Sequence, residues 1–387
     1  MVLGAACKPF ANIATGDLSR FTVTRVVRFE HSAPRPRMVG KNALRDVHGD
    51  ATWDSVLRIE TNQGLTGIGS GDATLDAMQA LVGRRLDTVW TPGIGMTSPL
   101  ERADHALYDL VGKALDVPAW RLLGGEGPEW VPIYDGSIYF DDLLPGSRGI
   151  DTILDNVRAG LDRGHRAFKI KVGRGFKWME KNAGFERDIA VVKEIRSATP
   201  ADVKLMVDAN NGYDLETTKR FLDAIATDLF FIEEMFPEDV ASDLALKGFL
   251  RERGLTTRVA DGESARDVGH FDGFLAERAL DLLQPDIRAL GIDLQWELSQ
   301  RAAARSVALA PHNWGSHLGL YMTALLSRGL SNVVFAEMDT ATSDLFDTSA
   351  WELREGKLRV PDLPGCGIVM HEDVWRERYA EGARTTS

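Results

Sequence analysis

From residue 131 onward the chain repeats one rhythm of apolar and polar positions. A short apolar run ends on a polar or small residue, and a stretch with apolar positions at helical period follows. The runs are Val131-Pro132-Ile133-Tyr134, 167–172, Leu205-Met206-Val207-Asp208, Phe230-Phe231-Ile232-Glu233, Val259-Ala260-Asp261, Leu282-Leu283-Gln284, Val307-Ala308-Leu309-Ala310 and Val333-Val334-Phe335-Ala336. They start near 131, 167, 205, 230, 259, 282, 307 and 333, which is the spacing of βα units. Eight such units predict an α/β protein with a closed barrel rather than an open doubly wound sheet. No GxGxxG follows any of these runs, which weakens a dinucleotide-binding fold.

The first part of the chain reads differently. Residues 18–75 are β-rich, with strands expected over 21–29 and 55–61, and Asn62-Gln63-Gly64 supplies the turn into 65–69. The interval 31–50 reads as a long polar loop carrying Arg35, Arg37, Lys41, Arg45 and His48. It is either a solvated basic surface or a lid that meets a carboxylate. Residues 74–124 read as helical, with apolar positions at helical spacing over 103–115 and Gly124-Gly125 closing the region. After about 350 the barrel rhythm stops, and residues 351–358 resemble a small hairpin able to rejoin the first domain.

Composition narrows the function classes. A net charge of -12 argues against a general nucleic-acid binder, although a local cation can still draw an anion into a cleft. The two cysteines, Cys7 and Cys366, lie far apart and fit a reducing cytoplasm. Lys8 interrupts the only apolar stretch near the start, so a secretory signal is not expected, and no run is long enough for a membrane span. The expected partner is a small molecule, and a symmetric homo-oligomer is the default assembly.

The chemistry begins at Phe168-Lys169-Ile170-Lys171-Val172-Gly173. Residues i and i+2 of a strand share a face, so two ammonium groups project side by side. Either they are solvated on an edge strand, or their repulsion lets one titrate low enough to serve as a base. The strand ends that follow carry Asp208, Glu233/Glu234, Glu263, Asp286, His312 and Glu337. Any one of these could merely cap the next helix. Together they fall where barrel enzymes place catalytic groups. Asp208, Glu233 and Glu263, with no cysteine nearby, make an all-oxygen donor set suited to Mg²⁺ or Mn²⁺; Asp261 is an alternative to Glu263 as third donor.

The ordered set Lys-x-Lys, Val-Asp-Ala-Asn, Ile-Glu-Glu, Gly-Glu-Ser, Pro-Asp, His-Asn and a final Glu resembles the enolase superfamily, and within it the mandelate racemase group with its acid-sugar dehydratases. The resemblance runs from about residue 18 to nearly the end. It implies a modified TIM (β/α)7β barrel with an α+β capping domain built from both ends of the chain. The expected layout is an extension over 1–17, the capping domain over 18–130, the barrel over 131–350, and a segment over 351–387 rejoining the cap.

The resemblance also implies roles. Asp208, Glu233 and Glu263 would hold Mg²⁺. Lys171 would be one acid/base and Lys169 would touch the substrate carboxylate and depress the pKa of Lys171. His312, oriented by Asp286, would be the second acid/base, and Glu337 would donate to or polarise a carboxylate oxygen. Apart from the resemblance, the hydrogen-bonding groups expected around the mouth, Asn210, Tyr134, Ser137 and Asn313 with Arg45 and His48 of the basic loop, fit a polyhydroxylated substrate. The expected reaction is Mg²⁺-dependent loss of water from an aldonic or aldaric acid to give a 2-keto-3-deoxy acid. The same groups could serve a racemase, an epimerase or a cycloisomerase, and a barrel binding protein without catalysis is a further alternative. Three features depart from the pattern: Met235 stands where the family has Pro, 174–184 reads as an insertion over the site or an oligomer contact, and His317 rivals His312 as a substrate contact or a surface histidine.

Overall fold

The computed structural model describes residues 17–125 and 127–387; Cys7, Lys8 and the rest of the expected 1–17 extension up to residue 16 lie outside them. The chain first builds an antiparallel layer from β1 (Val23–His31), β4 (Asp54–Thr61) and β5 (Thr66–Ser70). β2 (Pro34–Val39) and β3 (Gly49–Ala51) pair as a ribbon between β1 and β4. The interval expected as one long loop is therefore a ribbon whose tip spans 40–48. Helices α1 (Leu75–Leu81) and α2 (His105–Ala114) follow, and α2 packs against β5. The stretch between them also holds a short antiparallel strand pair, so 74–124 is less uniformly helical than its periodicity predicts.

Among the described residues, eight parallel strands then close a barrel. They are β6 (Trp130–Ile138), β7 (Ala167–Lys171), β8 (Lys204–Asp208), β9 (Phe231–Glu233), β10 (Arg258–Asp261), β11 (Leu282–Leu283), β12 (Ala308–Leu309) and β13 (Ala336–Met338). β13 pairs with β6, and a parallel bridge between Leu309 and Val333 completes the ring. Seven helices link them: α3 (Ile150–Asp162), α4 (Lys181–Ala198), α5 (Leu215–Ile225), α6 (Val240–Glu252), α7 (Asp272–Glu277), α8 (Ile287–Ala303) and α9 (His317–Gly329). The sequence shows why they start where they do. Asp214 accepts the Thr217 N–H and Asp239 the Ser242 N–H, each a side-chain cap just past a strand. In α5, Thr218, Phe221, Leu222 and Ile225 recur at helical period and are the buried face.

Two strands differ in extent from their apolar runs. β6 continues four residues past Tyr134 to Ile138. The last run contributes only a bridge at Val333, and its strand proper is Ala336–Met338, so Glu337 sits inside a strand. The hairpin near 351–358 forms as β14 (Leu353–Arg354) and β15 (Lys357–Arg359), but it pairs with β6 of the barrel, not with the capping sheet. The chain rejoins the cap only beyond it: α10 (Glu372–Arg378) brings Glu372 to Arg58, and β16 (Arg384–Thr386) pairs with β1.

Tyr134, Ala167, Met206, Phe231, Ala260, Leu282, Ala310 and Phe335 form one buried apolar cluster, six of them from β6 to β11 and the last two adjoining β12 and β13. This layer plugs the barrel. Two residues further along, on the same inward face, stand Lys169, Asp208, Glu233, Gln284 and Glu337. Alternation along the strands thus stacks a charged layer directly on the apolar plug.

The ribbon is fixed to the barrel by charge. Arg35 grips Asp339 with two hydrogen bonds of 2.9 and 2.6 Å, both side chains are buried, and its guanidinium lies 4.6 Å over the Trp314 ring. Arg37 reaches Asp141 at 2.8 Å. The 174–184 insertion holds the ribbon tip: Trp178 donates to the Asn42 carbonyl at 2.6 Å, and Lys177 donates to that of Leu44 at 3.2 Å. Replacing Arg35 by Met strands a buried Asp339 carboxylate and should cost about 3–5 kcal/mol. Urea unfolding of the two proteins measures it, and a loss under about 1 kcal/mol would show the pair to be no more than a surface bridge. No helix of the described residues is long and apolar enough to cross a membrane.

Candidate active site

Register places the carboxylates. Asp208 pairs with Lys171 on one side and with Glu233 on the other, so the ends of β7, β8 and β9 stand level. Glu263 arrives two residues past β10. Gly262 holds φ at +118°, a conformation that L side chains rarely adopt, and the turn sends Asp261 and Glu263 to different surroundings. The Asp261 carboxylate accepts the Gly262 N–H, whereas Glu263 joins Asp208 and Glu233, with donor oxygens within 4.8 Å of one another.

Burial pushes Glu233 well above the usual carboxylate range; the Asp208, Glu337 and Glu263 charges add to this, against the pull of Lys169. Glu263 Oε2 accepts no hydrogen bond. Crowded hard oxygen donors, two of them buried and the third, Glu263, half-buried with an oxygen that accepts no hydrogen bond, fit a divalent cation such as Mg²⁺, which Asp208, Glu233 and Glu263 could hold.

The lysines are already engaged. Lys169 Nζ lies 2.8 Å and 2.9 Å from the two Glu233 oxygens, 2.9 Å from Glu337 and 3.3 Å from Asp208. Lys171 Nζ bonds Asp208. The expected depression of the Lys171 pKa does not occur in this arrangement. Burial and Lys169 both push it down, but the Asp208 carboxylate, with Glu263 adding to it, outweighs them, and Lys171 is held above the ordinary lysine range. The same pairing, with that of Lys169, holds Asp208 below its ordinary value in spite of burial.

Past β12, which β13 and β6 separate from β7, stands His312, whose Nδ1 lies 2.8 Å from Oδ2 of Asp286, just past the end of the adjacent β11. The other Asp286 oxygen accepts the Arg288 and Ala289 N–H groups at 2.9 Å each, so the start of α8 fixes the carboxylate that fixes the imidazole. His312 Nε2 faces Glu263 at 3.3 Å and Glu337 at 3.9 Å. Burial opposes charge on His312, but Glu263, Glu337 and Asp286 push its pKa up to about 10. Asp286 is brought down to about 2, the His312 pairing outweighing burial. Glu337 Oε2 accepts the Asn313 N–H at 2.9 Å, and Gly136 leaves it room, since a Cβ there would lie 2.4 Å from Glu337 Oε1.

Lys171, Glu263, Asp286 and His312 open onto one cavity of about 460 Å³ beneath the ribbon tip. Of the expected substrate contacts, Asn210, Arg45 and His48 line it and Tyr134, Ser137 and Asn313 do not. Tyr134 belongs to the apolar plug, because β6 continues past it. Asn313 is fully buried and its amide donates to the Ser316 and Glu337 carbonyls. Of the five basic ribbon residues, Arg35, Arg37 and Lys41 are spent on Asp339, Asp141 and Asp46, and burial pushes the His48 pKa down to about 3, so that it is neutral. His317 is neither a substrate contact nor a surface residue; it is buried, 3.0 Å from the Ala341 carbonyl. Tyr139, Arg288 and Trp314 line the cavity and carry no signal in the strand-end reading. Tyr139 lies an odd number of positions past Tyr134, so alternation alone puts it on the other face; an irregularity of β6 between Asp135 and Ile138 stands between the two.

The fold and site define a barrel protein with acid–base groups and a hard-cation site at the C-terminal mouth of its strands. Residues 152–374, more than half of the chain, match the family described as "Enolase C-terminal domain-like". The chain belongs to the enolase superfamily, in the mandelate racemase and muconate lactonizing group. It is similar to a galacturonate dehydratase of Geobacillus sp., solved with D-galacturonate and 5-keto-4-deoxy-D-galacturonate, at 31% identity and a TM-score of 0.86, covering 95% of this chain and 100% of that one. A mandelate racemase/muconate lactonizing protein of Geobacillus sp. Y412MC10, complexed with magnesium and tartrate, matches at 32% identity and a TM-score of 0.84, covering 93% of this chain and 95% of the other. The arabinonate dehydratase of Saccharolobus solfataricus is 28% identical over 281 residues, 71% of this chain and 70% of that protein. Two cycloisomerases, of Streptomyces coelicolor and Agrobacterium fabrum, match at 28% and 29% identity.

Proposed function

We propose that the protein is a Mg²⁺-dependent sugar-acid dehydratase acting in the cytoplasm on an aldonic or aldaric acid, with uronic acids added by the galacturonate complex of its relative. The observation that carries this reading is the convergence of Lys171 and the Asp286–His312 pair on one cavity beside the carboxylate triad. A cation held by Asp208, Glu233 and Glu263 supplies positive charge next to the substrate carboxylate, where removal of the α proton builds negative charge. Lys169 adds a fixed ammonium to that region.

Lys171 keeps its proton through Asp208. Lys169, two positions away on the same strand, disfavours a second ammonium, and Lys171, which opens onto the cavity, takes the α proton as a free amine. The C–H electron pair becomes the new carbon–carbon π bond of the enol, and the β C–O bond breaks. His312, held protonated by its three carboxylate neighbours, gives its Nε2 proton to the departing hydroxyl, which leaves as water. Tautomerisation of the enol yields the 2-keto-3-deoxy acid.

A screen of stereochemically complete mono- and diacid sugars plus uronic acids with Mg²⁺, read by semicarbazide, tests this. The expected result is a 2-keto acid from one substrate class, stopped by EDTA and restored by Mg²⁺. α-Proton exchange in D₂O without loss of water would instead assign a racemase, epimerase or cycloisomerase. Metal-dependent affinity with neither exchange nor product would leave a binding protein.

A further inference from the structure

β6 ends at Ile138, so the first residue beyond its C-terminal end is Tyr139, at the mouth where barrel sites lie. Its ring is held on several sides. It stacks on Trp314 with centroids 4.7 Å apart and planes at 25°, meets the His48 edge at 4.7 Å, and has Lys171 Nζ 5.1 Å from its centroid. Trp314 donates its indole N–H to His48 Nδ1 at 3.1 Å, which ties the barrel side of the stack to the ribbon. Tyr139 is only 2% exposed, and what it exposes is part of the cavity wall.

Its hydroxyl differs from that of Tyr134. The Tyr134 hydroxyl is sealed in the plug; the Tyr139 hydroxyl is not sealed, yet it has no hydrogen-bond partner among the described residues. Burial raises its pKa, so it stays an O–H donor at neutral pH. A rigid ring thus presents an unused donor to the cavity beside Lys171.

We infer that Tyr139 is a specificity-determining substrate contact whose phenol donates a hydrogen bond to a substrate hydroxyl on the Lys171 side of the cavity. The inference rests on the reading of this cavity as a sugar-acid site. It selects substrates with a hydroxyl next to the reacting carboxylate carbon over deoxy analogues of the same length and charge. Trp314 cannot substitute, because its one N–H is spent on His48 Nδ1, and the remaining His48 nitrogen, Nε2, is sealed from the cavity.

Tartrate and succinate are suitable probes, being four-carbon diacids that differ in their two hydroxyls. Calorimetric titration of both into Mg²⁺-loaded wild type and Tyr139→Phe reads the contact without requiring turnover. The expected result is about tenfold weaker tartrate binding in the variant, with succinate affinity unchanged within about twofold. Equal tartrate affinity in both proteins, a parallel loss for both probes, or no measurable tartrate binding by wild type would overturn the inference. With a turned-over sugar acid, Tyr139→Phe should raise KM and leave kcat within a few-fold, as loss of a uniform contact does. A wild type that dehydrates no acid sugar would sink the dehydratase reading, while the tartrate–succinate comparison still decides the role of Tyr139.

Discussion

Glu233→Gln should abolish Mg²⁺-dependent turnover, with kcat/KM falling by about 10³-fold or more. The substitution keeps the shape of the side chain, so the effect is one of charge. In the parent chain both Glu233 oxygens accept from Lys169, and Oε2 also accepts from Gln284 at 2.7 Å. Those donors orient the carboxylate toward Asp208 and Glu263. An amide leaves two anions in the triad and leaves Lys169 less well neutralised, so the field a divalent cation meets is weaker and partly repulsive. Magnesium affinity by calorimetry, thermal unfolding and steady-state kinetics should be measured on the same preparation. Lost metal binding with an intact fold is the expected pattern. Full activity with wild-type metal affinity would remove Glu233 from the ligand set.

Much of this site was legible because strands impose period 2 and parallel register levels their ends. Lys169, Asp208, Glu233 and Glu337 could be placed on one inward face from alternation alone. What escaped depended on partners remote in sequence or on the length of a strand. The repulsion between Lys169 and Lys171 is visible at i and i+2, but the Asp208 carboxylate that reverses its effect lies 37 residues on. Arg35 reads as a loose basic residue until Asp339, 304 positions away, is brought against it. Tyr134 reads as a mouth residue because the apolar run stops there, before Asp135 and Gly136, although β6 passes through both. Gly262 is the opposite case. The Gly-Glu pair favoured Glu263 over Asp261, and the backbone supplies the reason, a positive φ between two carboxylates that would share a face in an extended strand.

Removing the two acid–base groups one at a time should separate the steps they serve. Lys171→Ala is expected to lose both dehydration and α-proton exchange with D₂O by about 10³-fold or more, since among the described residues Lys171 is the one lysine that lines the cavity. His312→Asn is expected to lose dehydration by a comparable factor yet keep α-proton exchange, because a proton can still be removed and returned when the hydroxyl cannot leave. The asymmetry follows from the surroundings. Glu263, Glu337 and Asp286 all favour the imidazolium, which suits an acid. Lys171 has Asp208 as its principal anionic neighbour and Lys169 against it, surroundings that favour the cation less one-sidedly than those of His312 and suit a base. Exchange kept in Lys171→Ala and lost in His312→Asn would invert the assignment and make the imidazole the base. Exchange kept in both variants would mean that neither group touches the α proton and that the acid–base reading of the cavity is wrong.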